Sequence, residues 1–242
     1  LFAGFVDSIV GGGGLIQLPA LITAYPTTGH ATLFGTNKLA SIVGTSSAAV
    51  QYSRRVPIPW GVAAPGAIAA LAGSWFGAKS VSFLHPEVLR PLILILLILV
   101  ALYTFVKKDL GALSTEPSHG VQSALTAAGV GGVVGFYDGF FGPGTGSFLI
   151  FLFIRLLGMD FLRASVTAKF VNVATNLAAI GFFVRNVELL WMLGGFMAVC
   201  NLTGAVIGSR MALRHGSRFV RRMFLGVVLV LIGKLAWDTF LR

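Results

Sequence analysis

The stretch GFYDGFFGPGTGSF, residues 135–148, sets an acid, Asp138, and a Gly-Pro-Gly break inside a run that is otherwise apolar. Outward from it the chain stays greasy. Hydrophobic residues are 56% of the 242, charged residues are 11%, and mean hydropathy is +0.88, against roughly 45–50% apolar and ~25% charged in soluble domains. This is the composition of a polytopic membrane protein. Apolar runs at 31–53, 59–79, 88–106, 121–141, 161–184, 188–209 and 219–240 reach or approach the ~20 residues that cross a hydrocarbon core as helix. Segments 1–24 and 147–158 are irregular. The period-two alternation of a transmembrane barrel is absent, so the spans are expected to be helices.

An acid in such a place asks for a partner, and the chain repeats it. A shift of 131 residues carries Gly4-Phe5 onto Gly135-Phe136, Asp7 onto Asp138, Gly11 onto Gly142, Thr36 onto Thr167 and Lys38 onto Lys169. The same shift, without a gap, pairs Trp60 with Trp191, Gly73 with Gly204, Gly77 with Gly208, Lys79 with Arg210 and Arg90 with Arg221. The chain is therefore a duplication: 1–118 is a first repeat, short at its N-terminus, and 119–242 a second, the two forming one transmembrane domain. Each repeat is a glycine-broken element followed by three spans.

The second broken element, 121–154, is too long for one crossing and is interrupted at Gly142-Pro143-Gly144-Thr145-Gly146, which suits a hairpin or re-entrant pair. An odd number of crossings per repeat would invert the second copy relative to the first. Loop charge agrees under the positive-inside rule. In the first copy Arg54, Arg55, Lys107 and Lys108 outweigh Lys79 and Arg90. In the second the bias flips to Arg155, Arg163, Arg210, Arg214, Arg218, Arg221 and Arg222, against Arg185 and Arg242. A parallel duplication is the alternative if each broken element crosses once. Inverted repeats with discontinuous helices typify secondary transporters, whose sites lie near the midplane where the repeats meet.

Helices opening near Thr28 or Gly29, and at Asp160 as N-cap, place Lys38 and Lys169 about nine residues in, roughly 13 Å along the axis and near mid-bilayer. An ammonium there costs about 2.5–3.5 kcal/mol on insertion scales. Lys38, Ser41 and Thr45 stand at i, i+3 and i+7, and Lys169, Asn172 and Asn176 repeat the spacing, so each lysine heads a polar stripe facing protein or a wet cavity. Asn37 is off the stripe, and Thr36 and Thr167 flank it.

The breaks supply the rest. At Gly11-Gly12-Gly13-Gly14 and Gly142-Pro143-Gly144-Thr145-Gly146 the backbone turns freely and leaves N–H donors at the start of a half-helix. Those donors and the dipole's positive end suit an anion. The candidate substrate-binding residues are thus Lys38, Lys169, Ser41, Asn172, Thr45, Asn176, Asn37, Gly12, Gly13, Gly14, Gly144, Thr145 and Gly146. Asp7 and Asp138 either pair with the lysines, bind nearby backbone donors, or carry a proton during transport. Gly73/Gly77 and Gly204/Gly208 read as helix-packing notches, and Lys234 with Asp238 as a local pair or snorkelling residues.

Other function classes lose ground. The net charge of +10 sits mostly at span ends, where lipid headgroups account for it, so no nucleic-acid partner is implied. The lone Cys200 excludes an internal disulfide. His30, His85, His119 and His215 fall in or beside loops and suggest no metal site, and no cofactor is expected. The spans hold no His, Glu or paired Cys, which argues against an intramembrane enzyme. The chain opens with Leu and lacks a basic n-region, so residue 1 reads as the start of a trimmed chain rather than a signal peptide. A passive anion channel with the same basic lining is the alternative to a carrier.

VDSIVGGGGLIQLP (6–19), GTNK (35–38), GFYDGFFGPGTGSF (135–148) and TAKFVN (167–172) together resemble the TauE/SafE sulfite exporter family, also called the 4-toluene sulfonate uptake permease family, over nearly the whole chain. The resemblance implies an integral membrane protein of a prokaryotic cytoplasmic (inner) membrane that moves sulfite, sulfoacetate or other organosulfonates. The residues alone reach only a small anion. The expected fold is all-α: two inverted pseudo-repeats, each a broken hairpin and three transmembrane helices, around a midplane cavity.

Overall fold

In an apolar chain the backbone polar groups must bond within their own segments. The computed structural model describes residues 1–83 and 120–240, and for residue 231 and residues 234–240 the backbone alone; among these residues are eight α-helices, one short 3₁₀ turn and no strand. The helices are α1 (Phe2–Val10), α2 (Gly13–Ala24), α3 (His30–Ser53), α4 (Trp60–Lys79), α5 (Val121–Phe140), α6 (Thr145–Leu157), α7 (Phe161–Asn186) and α8 (Trp191–Phe240). The expected span at 88–106, with His85, Arg90, Lys107, Lys108, His119 and Arg242, lies outside the described residues, as do the side chains of Lys234 and Asp238.

Trp60–Lys79, Phe161–Asn186 and Trp191–Val230 are long and apolar enough to cross a membrane. Helices α3 and α5 match them in length, but Asn37, Lys38, Ser41 and Thr45 on α3, and the glycines of α5, hold mean hydropathy down. Helices α1, α2 and α6, of 9, 12 and 13 residues, are too short to span.

The breaks are narrower than the glycine runs. Gly11 takes φ 76° and ends α1, while Gly13 and Gly14 already belong to α2. In the second copy Gly142 and Gly144 take φ 93° and 84°, and Thr145 and Gly146 open α6. The residues at positive φ break the helix, Gly12 follows as the N-cap of α2, and the remaining glycines of the two runs are helical because nothing prevents it. The expected spans 188–209 and 219–240 are likewise joined without a loop. A single residue, Gly216 with φ 74° and ψ −173°, breaks α8.

Small residues let backbones touch. A Cβ added at Gly135 on α5 would lie 2.6 Å from the Ala70 carbonyl oxygen of α4, and one at Gly4 on α1 would lie 2.5 Å from that of Asn201 on α8. Asn201 stands 131 residues beyond Ala70, as Gly135 does beyond Gly4. The notches behave the same way: Gly73 and Gly77 abut the Gly132 and Phe136 backbone, and Gly204 and Gly208 abut that of Leu1 and Phe5. Each broken element thus packs on a helix of the other half.

Helix α7 is capped as its sequence suggests. The Asp160 carboxylate accepts the N–H groups of Leu162 at 2.8 Å and Arg163 at 3.0 Å, and the Ser217 hydroxyl at 3.0 Å. Asp160→Ala is expected to cost about 1 kcal/mol, read as a lowered midpoint of unfolding in detergent, with Asp160→Asn recovering most of it.

Candidate functional site

The polar stripes and the two breaks meet at one cavity. The first break contributes Asp7, Gly11 and Gly14; α3 contributes Asn37, Lys38 and Ser41; the second break contributes Asp138, Gly142, Thr145 and Gly146; α7 contributes Asn172 and Asn176. Its volume is about 20 Å³, room for a water or two. A sulfur oxyanion, with at least four heavy atoms, enters only if the lining parts.

Both lysines are buried and paired with the aspartate of the opposite half. Lys38 Nζ stands 2.5 Å from Asp138 Oδ2, with the two residues 5% and 2% exposed. Lys169, 1% exposed, donates to the Asp7 backbone carbonyl and lies 3.5 Å from Asp7 Oδ2. Asp7 also accepts from the Gly13 N–H at 3.3 Å and the Thr45 hydroxyl at 3.2 Å. Burying an ion is costly unless an opposite charge and hydrogen bonds compensate, and these contacts supply both. The formal charges of the four side chains cancel, and of the roles open to Asp7 and Asp138 pairing with the lysines is the one this geometry holds.

Most of the expected site residues come together, some in other roles. Thr45 and Lys169 reach Asp7 rather than the cavity. Gly12 caps α2 and Gly13 spends its N–H on Asp7, while Gly144 packs against Leu15. Asn172 Oδ1 accepts from Thr175 at 3.1 Å and faces the Asn176 amide at 3.5 Å. Asn37, off the stripe by spacing, lines the cavity all the same. Gly11 and Gly142 were missing from the binding set, although their place in the 131-residue match marked them. The bond from Gln17 Nε2 to Asn201 Oδ1, 2.7 Å, had no sequence signal, because it joins residues far apart in the chain and unmatched by the repeat.

The family model for sulfite exporter TauE/SafE matches residues 1–235. The chain is 36% identical over 240 residues to a protein of Escherichia coli (strain K12) named probable membrane transporter protein YfcA, covering 99% of this chain and 87% of that one. It is 35% identical over 237 residues to probable membrane transporter protein ORF9 of Sinorhizobium sp, covering 98% and 89%. It is 31% identical over 241 residues to a probable membrane transporter protein of Haemophilus influenzae, covering 98% and 91%. No solved structure matches significantly.

Proposed function

Because the chain belongs to the sulfite exporter TauE/SafE family, and is thus a membrane transporter, we propose that it is a secondary carrier of small sulfur-containing anions. Sulfite, sulfoacetate and other organosulfonates are the candidate substrates, taken up in the cavity between residues 1–118 and 119–242 of a cytoplasmic membrane protein. The observation that carries this reading is buried Lys38 at a polar cavity between two broken helical elements, with its counterpart Lys169 buried against Asp7 of the same lining.

The two halves act as inverted repeats that rock against each other. Reciprocal contacts at a shift of 131 residues support this. So does the meeting of corresponding helices: Gly35 and Thr36, near the start of α3, lie against Phe183 and Leu190, near and beyond the end of α7. Opposite running senses of matched helices are what inversion requires. A cavity of only about 20 Å³ favours a carrier over a passive channel, which needs a continuous path.

The test is binding followed by exchange. Sulfoacetate or sulfite at about 100 times its dissociation constant is expected to stabilise the detergent-solubilised protein by about 2.7 kcal/mol, and preloaded proteoliposomes should show counterflow. Flux without counterflow points to a channel. No stabilisation and no flux with any sulfur anion would overturn the reading.

A further inference from the structure

The two halves present the same charged residues but hold them differently. The Asp7 carboxylate accepts from two donors, the Gly13 N–H and the Thr45 hydroxyl, and forms an ion pair with the Lys169 ammonium at 3.5 Å. Lys169 is tied further to the Asp7 backbone carbonyl, the group that also accepts the Gly11 N–H closing α1. Among the described residues the Asp138 carboxylate has one donor, Lys38. The counterpart of Thr45 is Asn176, which faces Asn172 instead, and the N–H of Gly144, counterpart of Gly13, makes no bond to Asp138. One pair is a staple; the other rests on a single contact at the cavity wall.

That difference decides which pair a substrate can open. An anion drawing away the Lys38 ammonium leaves Asp138 buried with no donor, a state that costs several kcal/mol for an ionised carboxylate. Asp7, deprived of Lys169, would still keep two donors. We propose that the anion binds at Lys38 while Asp138 takes up a proton, so that one proton travels with each anion and the Lys169–Asp7 pair stays closed. The Lys38–Asp138 pair breaks, one O–H bond forms on the Asp138 carboxylate with a proton from water, and that proton returns to water when the anion leaves. A monovalent anion then adds no net charge to the cavity. The charged groups that share the cavity wall with Asp138 are Lys38 from α3 and Asp7 from α1, the latter paired with Lys169 of α7. Helix α6 brings no ionisable side chain there, Arg155 being exposed near its far end, and on α4 Lys79, five residues beyond the Ser74 that packs on Gly139, is exposed.

This assignment rests on the reading that the cavity takes an anion, and proteoliposomes separate the two. Sulfoacetate is the probe, ionised at both groups between about pH 6 and 8, with sulfite beside it. The wild type should exchange sulfoacetate in counterflow and accumulate it when a pH gradient is imposed. Asp138→Asn should lose gradient-driven accumulation, to the level of vesicles without a gradient, and Asp138→Glu should retain it. In the wild type, sulfoacetate entry should acidify the lumen by one proton per anion, read with a trapped pH dye. Retention of the response in Asp138→Asn overturns the assignment, as does anion entry into wild-type vesicles without lumenal acidification; the second holds even if Asp138→Asn does not fold. A wild type that exchanges sulfoacetate yet ignores the gradient overturns the assignment and leaves the anion reading standing. One that exchanges neither sulfoacetate nor sulfite overturns both.

Discussion

Lys38→Ala is expected to cost about 3–5 kcal/mol of stability, because it strands one member of a buried ion pair, and to abolish saturable anion binding. The Asp138 residue is 2% exposed and Lys38 is its one donor among the described residues, so alanine leaves an uncompensated carboxylate that must be protonated or force the cavity open. Lys38→Ala/Asp138→Ala should recover most of the lost stability, since removing both charges removes the desolvation cost as well. It should not recover binding. Unfolding midpoints in detergent and sulfoacetate isotherms for the two single variants and the double separate these effects. Full affinity in Lys38→Ala would take this lysine out of the site. A double variant no more stable than the single would mean that the pair is already solvated.

The second large effect lies at the seam between α4 and α5. Cβ atoms added at Gly77, Gly131 and Gly139 would fall on the backbone carbonyls of Phe136, Gly66 and Ser74. No flexible side chain is there to yield, so two backbones must separate. Gly139→Leu is expected to exceed the about 1–3 kcal/mol usual for overpacking and to abolish a monodisperse peak on size exclusion. Gly129→Leu on the same helix, where an added Cβ meets nothing within 4 Å, is the control and should elute normally. Normal elution of Gly139→Leu would mean that the seam is looser than described. The matching seam of α1 on α8 predicts the same contrast for Gly204→Leu against Gly195→Leu, again a glycine with open space beside it.

Much of this site was legible from spacing. Residues at i, i+3 and i+7 share a helix face whatever surrounds them, so the stripes headed by Lys38 and Lys169 follow from local geometry. The same holds for the Asp160 cap, which acts on N–H groups two and three residues away. Glycine runs marked where the chain can break. They did not mark which glycines would leave the helix, because glycine tolerates both conformations and the surrounding contacts choose. Asn37 shows the limit of a stripe drawn on one helix: it lies off that stripe, and a wall built by four elements still reaches it.

From its own residues the chain determined an all-helical membrane protein, a duplication at a shift of 131, two broken elements and two lysines on polar faces. Each of these is a property of composition or of neighbours along one strand of covalent bonds. Only the tertiary structure decided that Lys38 answers Asp138 and Lys169 answers Asp7, that the four formal charges cancel, and that the Asp7 carboxylate keeps two further donors where Asp138 has a single contact. Pairings across 100 and 162 residues depend on how helices pack, and packing is set by where backbones can touch. Identical side chains at matched positions therefore carry different partners.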